Sequence, residues 1–289
     1  MARLIINADD FGLTPGVNRS VAELHEAGTL TSATLMATSN FFDEAVRLAH
    51  AHASLEVGCH VVLVDGVPAL PPAQIPSLIL ARGQFRDKLG RFAADLFMGS
   101  VRAEEIEAEA TAQIRRVQDA GLRLSHLDTH KHTHVFPRVL RPLLRAAQAC
   151  GVPAIRNPFE PDWALRVTPS AGRLRRIAVV ALDSQRRTFL RLVREAGLVT
   201  TSGTIGVLAT GTLDVVTTLK RLLAAMPAGD STWELVCHPG YPDEHLDRVR
   251  TRLRASRGLE HTALLETIPG SAVALASWRA LETRNDGPA

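Results

Sequence analysis

Residues 7–12 read Asn-Ala-Asp-Asp-Phe-Gly, directly after the apolar run Leu4 to Ile6. Two adjacent carboxylates, Asp9 and Asp10, repel and raise each other's pKa unless a cation or hydrogen-bond donors stand beside them. Farther along, residues 126–134 read HLDTHKHTH, with His126, Asp128, His130, His132 and His134 at every second position. In an extended segment all five side chains face one way. So many imidazoles together are expensive in a core and ordinary at a metal site. His60 closes the apolar run LEVGCH, and His238 closes WELVCH.

One Asp and two His with open positions can hold Zn²⁺ or Mg²⁺ and a water of lowered pKa, for hydrolysis. The same set is the facial triad of non-haem iron oxygenases. A second carboxylate favours hydrolysis, where a base beside an activated water has a use. A metal-dependent binding protein without catalysis is a further alternative, but it leaves Asp9 and His238 with nothing to do.

These residues meet only if the right elements carry them. Short apolar runs alternate with amphipathic helices: strands at 4–7, 32–37, 55–63, 124–128, 154–156, 201–207 and 233–237, and helices at 14–26, 42–52, 103–120, 137–149 and 213–225. Strands alternating with helices pair in parallel, with the helices covering the sheet. The fold class is therefore α/β, a single (β/α) barrel-like domain of TIM type, incomplete or distorted, with about seven strands. An open doubly wound sheet is the alternative, but the glycine-rich nucleotide fingerprint is missing. In either case functional residues sit at the C-terminal ends of strands, where Asp9, Asp10, His60, His130 and His238 all fall. A single strand-end histidine is more often structural than a ligand; four coincident strand ends argue for a site. Cys59 and Cys237 each precede a site histidine, so alternation turns them to the opposite face, into packing. His25, His50, His52, His245 and His261 read as solvated.

Two stretches break the rhythm. Residues 65–92, rich in Pro and Gly, are too long for a simple connection and read as a lid or substrate loop, or as an excursion packed on the barrel. Residues 174–198 form a basic amphipathic helical insertion, and residues 284–289 read as a frayed tail. The 289 residues are enough for one large domain with a substantial core. A formal charge of only +3, with both signs interspersed, gives no reason to expect nucleic acid. Three cysteines without a CxxC pair or signal peptide point to a cytoplasmic protein, and no apolar run is long enough to span a bilayer. Oligomeric state is not legible.

Taken together and in this order, NADDFG, GCHVVL, HLDTHKHTHVFP and CHPG resemble the YdjC-like carbohydrate deacetylases over nearly the whole chain. VLVDGVPALPPAQIPSLI is similar to the hopanoid-biosynthesis-associated branch. The resemblance implies a barrel-like fold, one divalent metal ion held by Asp10, His60 and His130, Asp9 as base, and His238 as the acid that protonates the leaving amine. It implies removal of the acetyl group from N-acetylglucosaminyl bacteriohopanetetrol, with soluble chitooligosaccharides as the alternative substrate. Cys59 departs from the family's usual Leu. Asp128 is expected to fix the tautomer of a ligand histidine or to cap the strand, and His132 and His134 to touch sugar or offer alternative ligation. A lipid-linked substrate would bring peripheral contact with the inner membrane through residues 174–198, whose alternative reading, the favoured one, is an ordinary solvated helix face with a core stripe.

Overall fold

The computed structural model describes residues 2–168, 172–211 and 215–282, so the expected tail and residues 213–214 of an expected helix lie outside the described residues. The chain opens with β1 (Arg3–Phe11), α1 (Pro15–Glu26), β2 (Ser32–Leu35), α2 (Phe42–Ala51) and β3 (Glu56–Val61). Thr14 caps α1 by accepting from the Val17 amide at 3.3 Å, and Pro15 sits in the first turn, where its missing N–H costs nothing. An excursion follows β3 and runs into α3 (Leu89–Phe97), then α4 (Ala103–Asp119), β4 (Leu124–Thr129) and α5 (Pro137–Ala149). The second half holds α6 (Asp162–Val167), α7 (Arg173–Leu182), α8 (Arg186–Glu195), β5 (Gly203–Ile205), α9 (Val215–Ala225), β6 (Thr232–Cys237), α10 (Glu244–Arg248), α11 (Ser256–Thr267) and β7 (Ala274–Leu275).

The strands pair in parallel in the order β4-β3-β2-β1-β6-β5, with β7 beside the start of β1. The sheet curls into a distorted TIM-like barrel. Between β4 and β5 the seam is spanned by isolated bridges, Leu127 to Ile155 and Ala154 to Val199. The strand expected at 154–156 is reduced to these bridges. Pro153 and Pro158 flank it, and proline cannot donate to a ladder.

Alternation along β1 separates two layers. Leu4, Ile6 and Ala8 join the large outer core beneath the helices, whereas Ile5 packs with Ala154 and Trp278 inside the barrel. Trp278 closes the bottom of this lumen, stacked on His126 with ring centroids 4.2 Å apart and its amide donating to Glu56 at 2.6 Å. Gly58 leaves room for that stack, because a Cβ there would lie 2.5 Å from the His126 ring. Above this apolar floor the lumen is polar, and every strand from β1 to β6 delivers its C-terminal end to the same rim.

Candidate active site

Adjacent residues on a strand normally face opposite ways, so Asp9 and Asp10 can share a site only if β1 breaks its alternation. It does so at Asp10, whose φ of 64° is left-handed, and the register with β2 shifts between Ala8 and Phe11. The bulge turns both carboxylates to the rim. A left-handed conformation is tolerated by Asp better than by most residues.

Asp10 Oδ1 lies 3.6 Å from His60 Nε2 and 3.5 Å from His130 Nδ1, and the two histidine nitrogens are 3.3 Å apart. Asp10 Oδ1 is buried and makes no hydrogen bond. Tetrahedral ligands about 2.0–2.2 Å from one ion are about 3.3–3.6 Å apart, so this triangle fits a bound divalent cation. A second grouping, Asp9, His60 and Asp128, is also close-packed. Its two carboxylates, however, are already paired with Arg156, which leaves the Asp10 triangle as the better cradle.

His60 Nδ1 lies 2.7 Å from Asp128 Oδ1. A proton on Nδ1 leaves Nε2 as the lone-pair donor facing Asp10 and His130, the arrangement that carboxylate partners of ligating histidines impose. Burial opposes charging His60, but Asp128, with Asp9 and Asp10, raises the imidazole to about 9 without an ion, so a cation binding at Nε2 displaces the proton that nitrogen would otherwise carry.

Sequence reasoning missed the residue at the centre of the lumen, Arg156. It donates to Asp9 Oδ2 at 2.9 Å and Oδ1 at 2.7 Å, to Glu234 Oε1 at 2.7 Å, and pairs closely with Asp128. Burial works against a charged Asp9, but Arg156, aided by His60 and His238, outweighs it and holds the carboxyl well below the usual range. Glu234, also buried and also missed, is pushed up to about 7 by desolvation that Arg156 only partly offsets. Asn7 and Thr34 complete the Asp9 shell, at 3.0 and 3.3 Å from Oδ1. Asp9 Oδ2 faces His238 Nε2 at 3.8 Å.

The chain matches the profile of the YdjC-like protein family over residues 3–271. It belongs to the YdjC-like family. A mouse carbohydrate deacetylase is 33% identical over 83% of this YdjC-like chain and 78% of its own length. One from Halalkalibacterium halodurans is 31% identical over 92% of this chain and 98% of its own. With a Brevibacillus brevis carbohydrate deacetylase the identity is 43%, but the match spans 54% of this chain and 60% of that protein. Among solved structures, an Enterococcus faecalis protein provisionally described as a cellobiose-phosphate cleavage protein superposes with a TM-score of 0.73. It is 25% identical, over 97% of this chain and 98% of that one.

A second arginine of the YdjC-like chain, Arg257 on α11, was equally unforeseen. It donates to Asp10 Oδ2 at 2.5 Å and to the His238 carbonyl at 3.4 Å. Burial again raises the Asp10 carboxyl, but Arg257 and His130 overcome it and hold it well below the usual value. The His238 amide donates to Glu260 Oε2 at 2.5 Å, one turn farther along α11. One helix thus fixes both the free oxygen of Asp10 and the backbone of His238. His261, expected to be solvated, is buried instead. It bonds Ser20 Oγ at 2.8 Å and Tyr241 Oη at 2.9 Å, tying α11 to α1 and to the loop after β6.

The run of alternating histidines does not stay extended. β4 ends at Thr129, and residues His130–Val135 form a 3-10 turn in which Lys131 and His132 take φ values of 57° and 53°. His130 therefore reaches the Asp10 triangle, and its neighbours diverge. His134 is fully buried, with Nδ1 2.7 Å from Thr129 Oγ1. His132 is half-buried with an unbonded Nδ1, and burial together with Arg156 lowers it to about 3. His126 lies at the floor of the lumen. Cys59 and Cys237 are buried away from the site, Cys237 Sγ donating to the Asn7 carbonyl at 3.3 Å.

Proposed function

We propose that this chain is a metal-dependent carbohydrate N-deacetylase that hydrolyses the N-acetyl group of an amino sugar to the free amine and acetate. The observation that carries this reading is the juxtaposition of two units on one rim. One is the unpaired Asp10 Oδ1 with two histidine nitrogens within 3.6 Å; the other is the Asp9–His238 couple beside it. Asp9, Asp128 and Glu234 are paired with Arg156 and the second oxygen of Asp10 with Arg257, which leaves the buried, unbonded Asp10 Oδ1 as the carboxylate oxygen placed to meet a cation between the two imidazoles. The donor set of one carboxylate and two imidazoles suits zinc, and magnesium is the other candidate.

When bound by Asp10, His60 and His130, such an ion supplies Lewis-acid polarisation of the acetamide carbonyl and acidifies the attacking water. Asp9, ionised and gripped on both oxygens by Arg156, takes the water's proton through Oδ2. His238 Nε2 stands 3.8 Å away and delivers a proton to the departing amine, which is too poor a leaving group as an anion. Asp128 keeps Nε2 of His60 free, and His132 is the histidine of the turn left to meet the sugar.

The finer reading takes the substrate to be N-acetylglucosaminyl bacteriohopanetetrol, deacetylated at the cytoplasmic face of the inner membrane by a peripherally attached enzyme. The resemblance of residues 62–79 to the hopanoid-associated branch supports this choice over soluble chitooligosaccharides. Acetate release from the glycosylated hopanoid and from diacetylchitobiose, each with added zinc or magnesium, tests it. Faster turnover of the hopanoid is expected, and turnover of the soluble sugar alone would leave the deacetylase and remove the lipid. Ferrous dependence with oxygen consumption would replace both by an oxygenase.

A further inference from the structure

Among the described residues, nine large hydrophobic side chains are exposed, and six of them, Val67, Phe97, Met98, Ile177, Val180 and Leu182, lie on segments that emerge from the C-terminal rim. Phe97 is 85% exposed and Met98 69%, at the end of α3, whose Phe92 and Leu96 are buried. The Leu96 and Phe97 carbonyls accept from Arg138 at 2.8 and 3.1 Å. Arg138 stands in the first turn of α5, just past the turn that carries His130, so the Phe97 tip borders the mouth of the site.

A second border is α7. Arg175, near its start, donates to the carbonyls of Val207 and Thr210 in the loop after β5. Just beyond its end, Arg186 donates to the Glu160 carbonyl at 3.0 Å. Both ends are tied to rim loops, so α7 lies over the rim and turns Ile177 (64% exposed) and Val180 (54%) outward. Residues 173–191 carry six arginines against one aspartate, and that aspartate, Asp183, is paired with Arg186. The return helix α8 packs inward through Phe189, Leu192 and Val193. The outward apolar face is therefore confined to α7.

We propose that this rim docks on an anionic phospholipid surface, with Phe97 and Met98 entering it at one border of the mouth and Ile177 and Val180 at the second. Two separate apolar points, one on a helix whose segment 173–191 carries a net excess of arginine, match a flat, negatively charged apolar phase. Side chains of this kind seat in the headgroup boundary while the cations meet the lipid charge. The inference deepens the deacetylase reading, on which it rests for the direction in which the mouth must face. The N-acetyl group of a lipid-anchored sugar would be presented to the barrel from the surface on which the rim sits.

Sedimentation of the full chain with vesicles of phosphatidylcholine, with and without phosphatidylglycerol, tests the proposal. Wild-type protein is expected to bind the anionic vesicles, to bind the neutral ones about tenfold less, and to be released by salt. The pairs Phe97→Ser/Met98→Ser and Ile177→Ser/Val180→Ser should each lower partitioning at least about tenfold, with acetate release from soluble diacetylchitobiose within about twofold of wild type. Wild-type protein that ignores anionic vesicles, or serine pairs that sediment like wild type, would overturn the proposal. So would a wild-type dimer that the same pairs dissociate, since the face would then cover a second copy. Vesicle binding by a chain that releases no acetate would uphold this surface and sink the deacetylase.

Discussion

Arg156 decides the charge balance of the lumen, because three carboxylates converge on its one guanidinium. Replacing it with Met leaves those groups buried without a counter-charge, which is expected to cost about 3–5 kcal/mol in urea denaturation. Lys at the same position keeps the charge and loses the fork that aligns Asp9. The expected result is a folded protein with turnover reduced about 100-fold. Asp9→Asn should retain metal by elemental analysis and lose about 10²–10⁴-fold in rate. His60→Ala and His130→Ala should lose the metal itself, and undiminished occupancy in either would remove that residue from the ligand set. The paired carboxylates and strand-end histidines were legible because their types are rare in apolar strands. Arg156 was not. A single arginine in a short run between prolines carries no period, and its partners are distant in sequence.

Helix α11 was invisible for the opposite reason. Its buried face includes Ser256, Arg257, Glu260 and His261, so the apolar stripe that betrays a helix is largely replaced by the groups that hold Asp10, His238 and Tyr241. The extended reading of residues 126–134 failed at Lys131 and His132, whose left-handed backbone no spacing rule announces. Gly58 shows how closely the strands are fitted to the lumen. Gly58→Ala would drive a Cβ into the His126–Trp278 stack, and a loss of about 1–3 kcal/mol is expected from the urea midpoint. The rim loop after β5 offers a pH test. The Glu160 carboxylate accepts from the Gly206 amide at 3.0 Å and from the Leu208 amide at 2.6 Å, yet burial pushes its pKa up to about 7. A raised carboxyl contributes stability that is fully present below its unfolded value near 4.5 and is lost as pH rises through about 7. Relative to Glu160→Gln, wild-type protein should therefore lose up to about 3 kcal/mol between pH 4.5 and 7.5. A difference between the two that does not change with pH would remove Glu160 as the titrating group.

At the scale of the whole molecule, the alternation of strands and helices was enough to give a parallel barrel with the candidate site residues at the C-terminal ends of its strands. What it could not show was the weak seam at Ala154 and Ile155, or that the lumen is polar above a Trp278 floor. Both depend on contacts between distant segments. The polar lumen gathers three carboxylates on Arg156 and leaves Asp10 Oδ1 unbonded beside His60 and His130 at the rim. The most direct test is acetate release by metal-loaded protein from an N-acetylglucosaminyl substrate, measured for wild type and for Asp9→Asn carrying the same metal. The wild type should release acetate in proportion to bound metal, and the variant should hold as much metal and release almost none. Equal release by the two, or none by fully loaded wild type on either the hopanoid or the soluble sugar, would contradict the account.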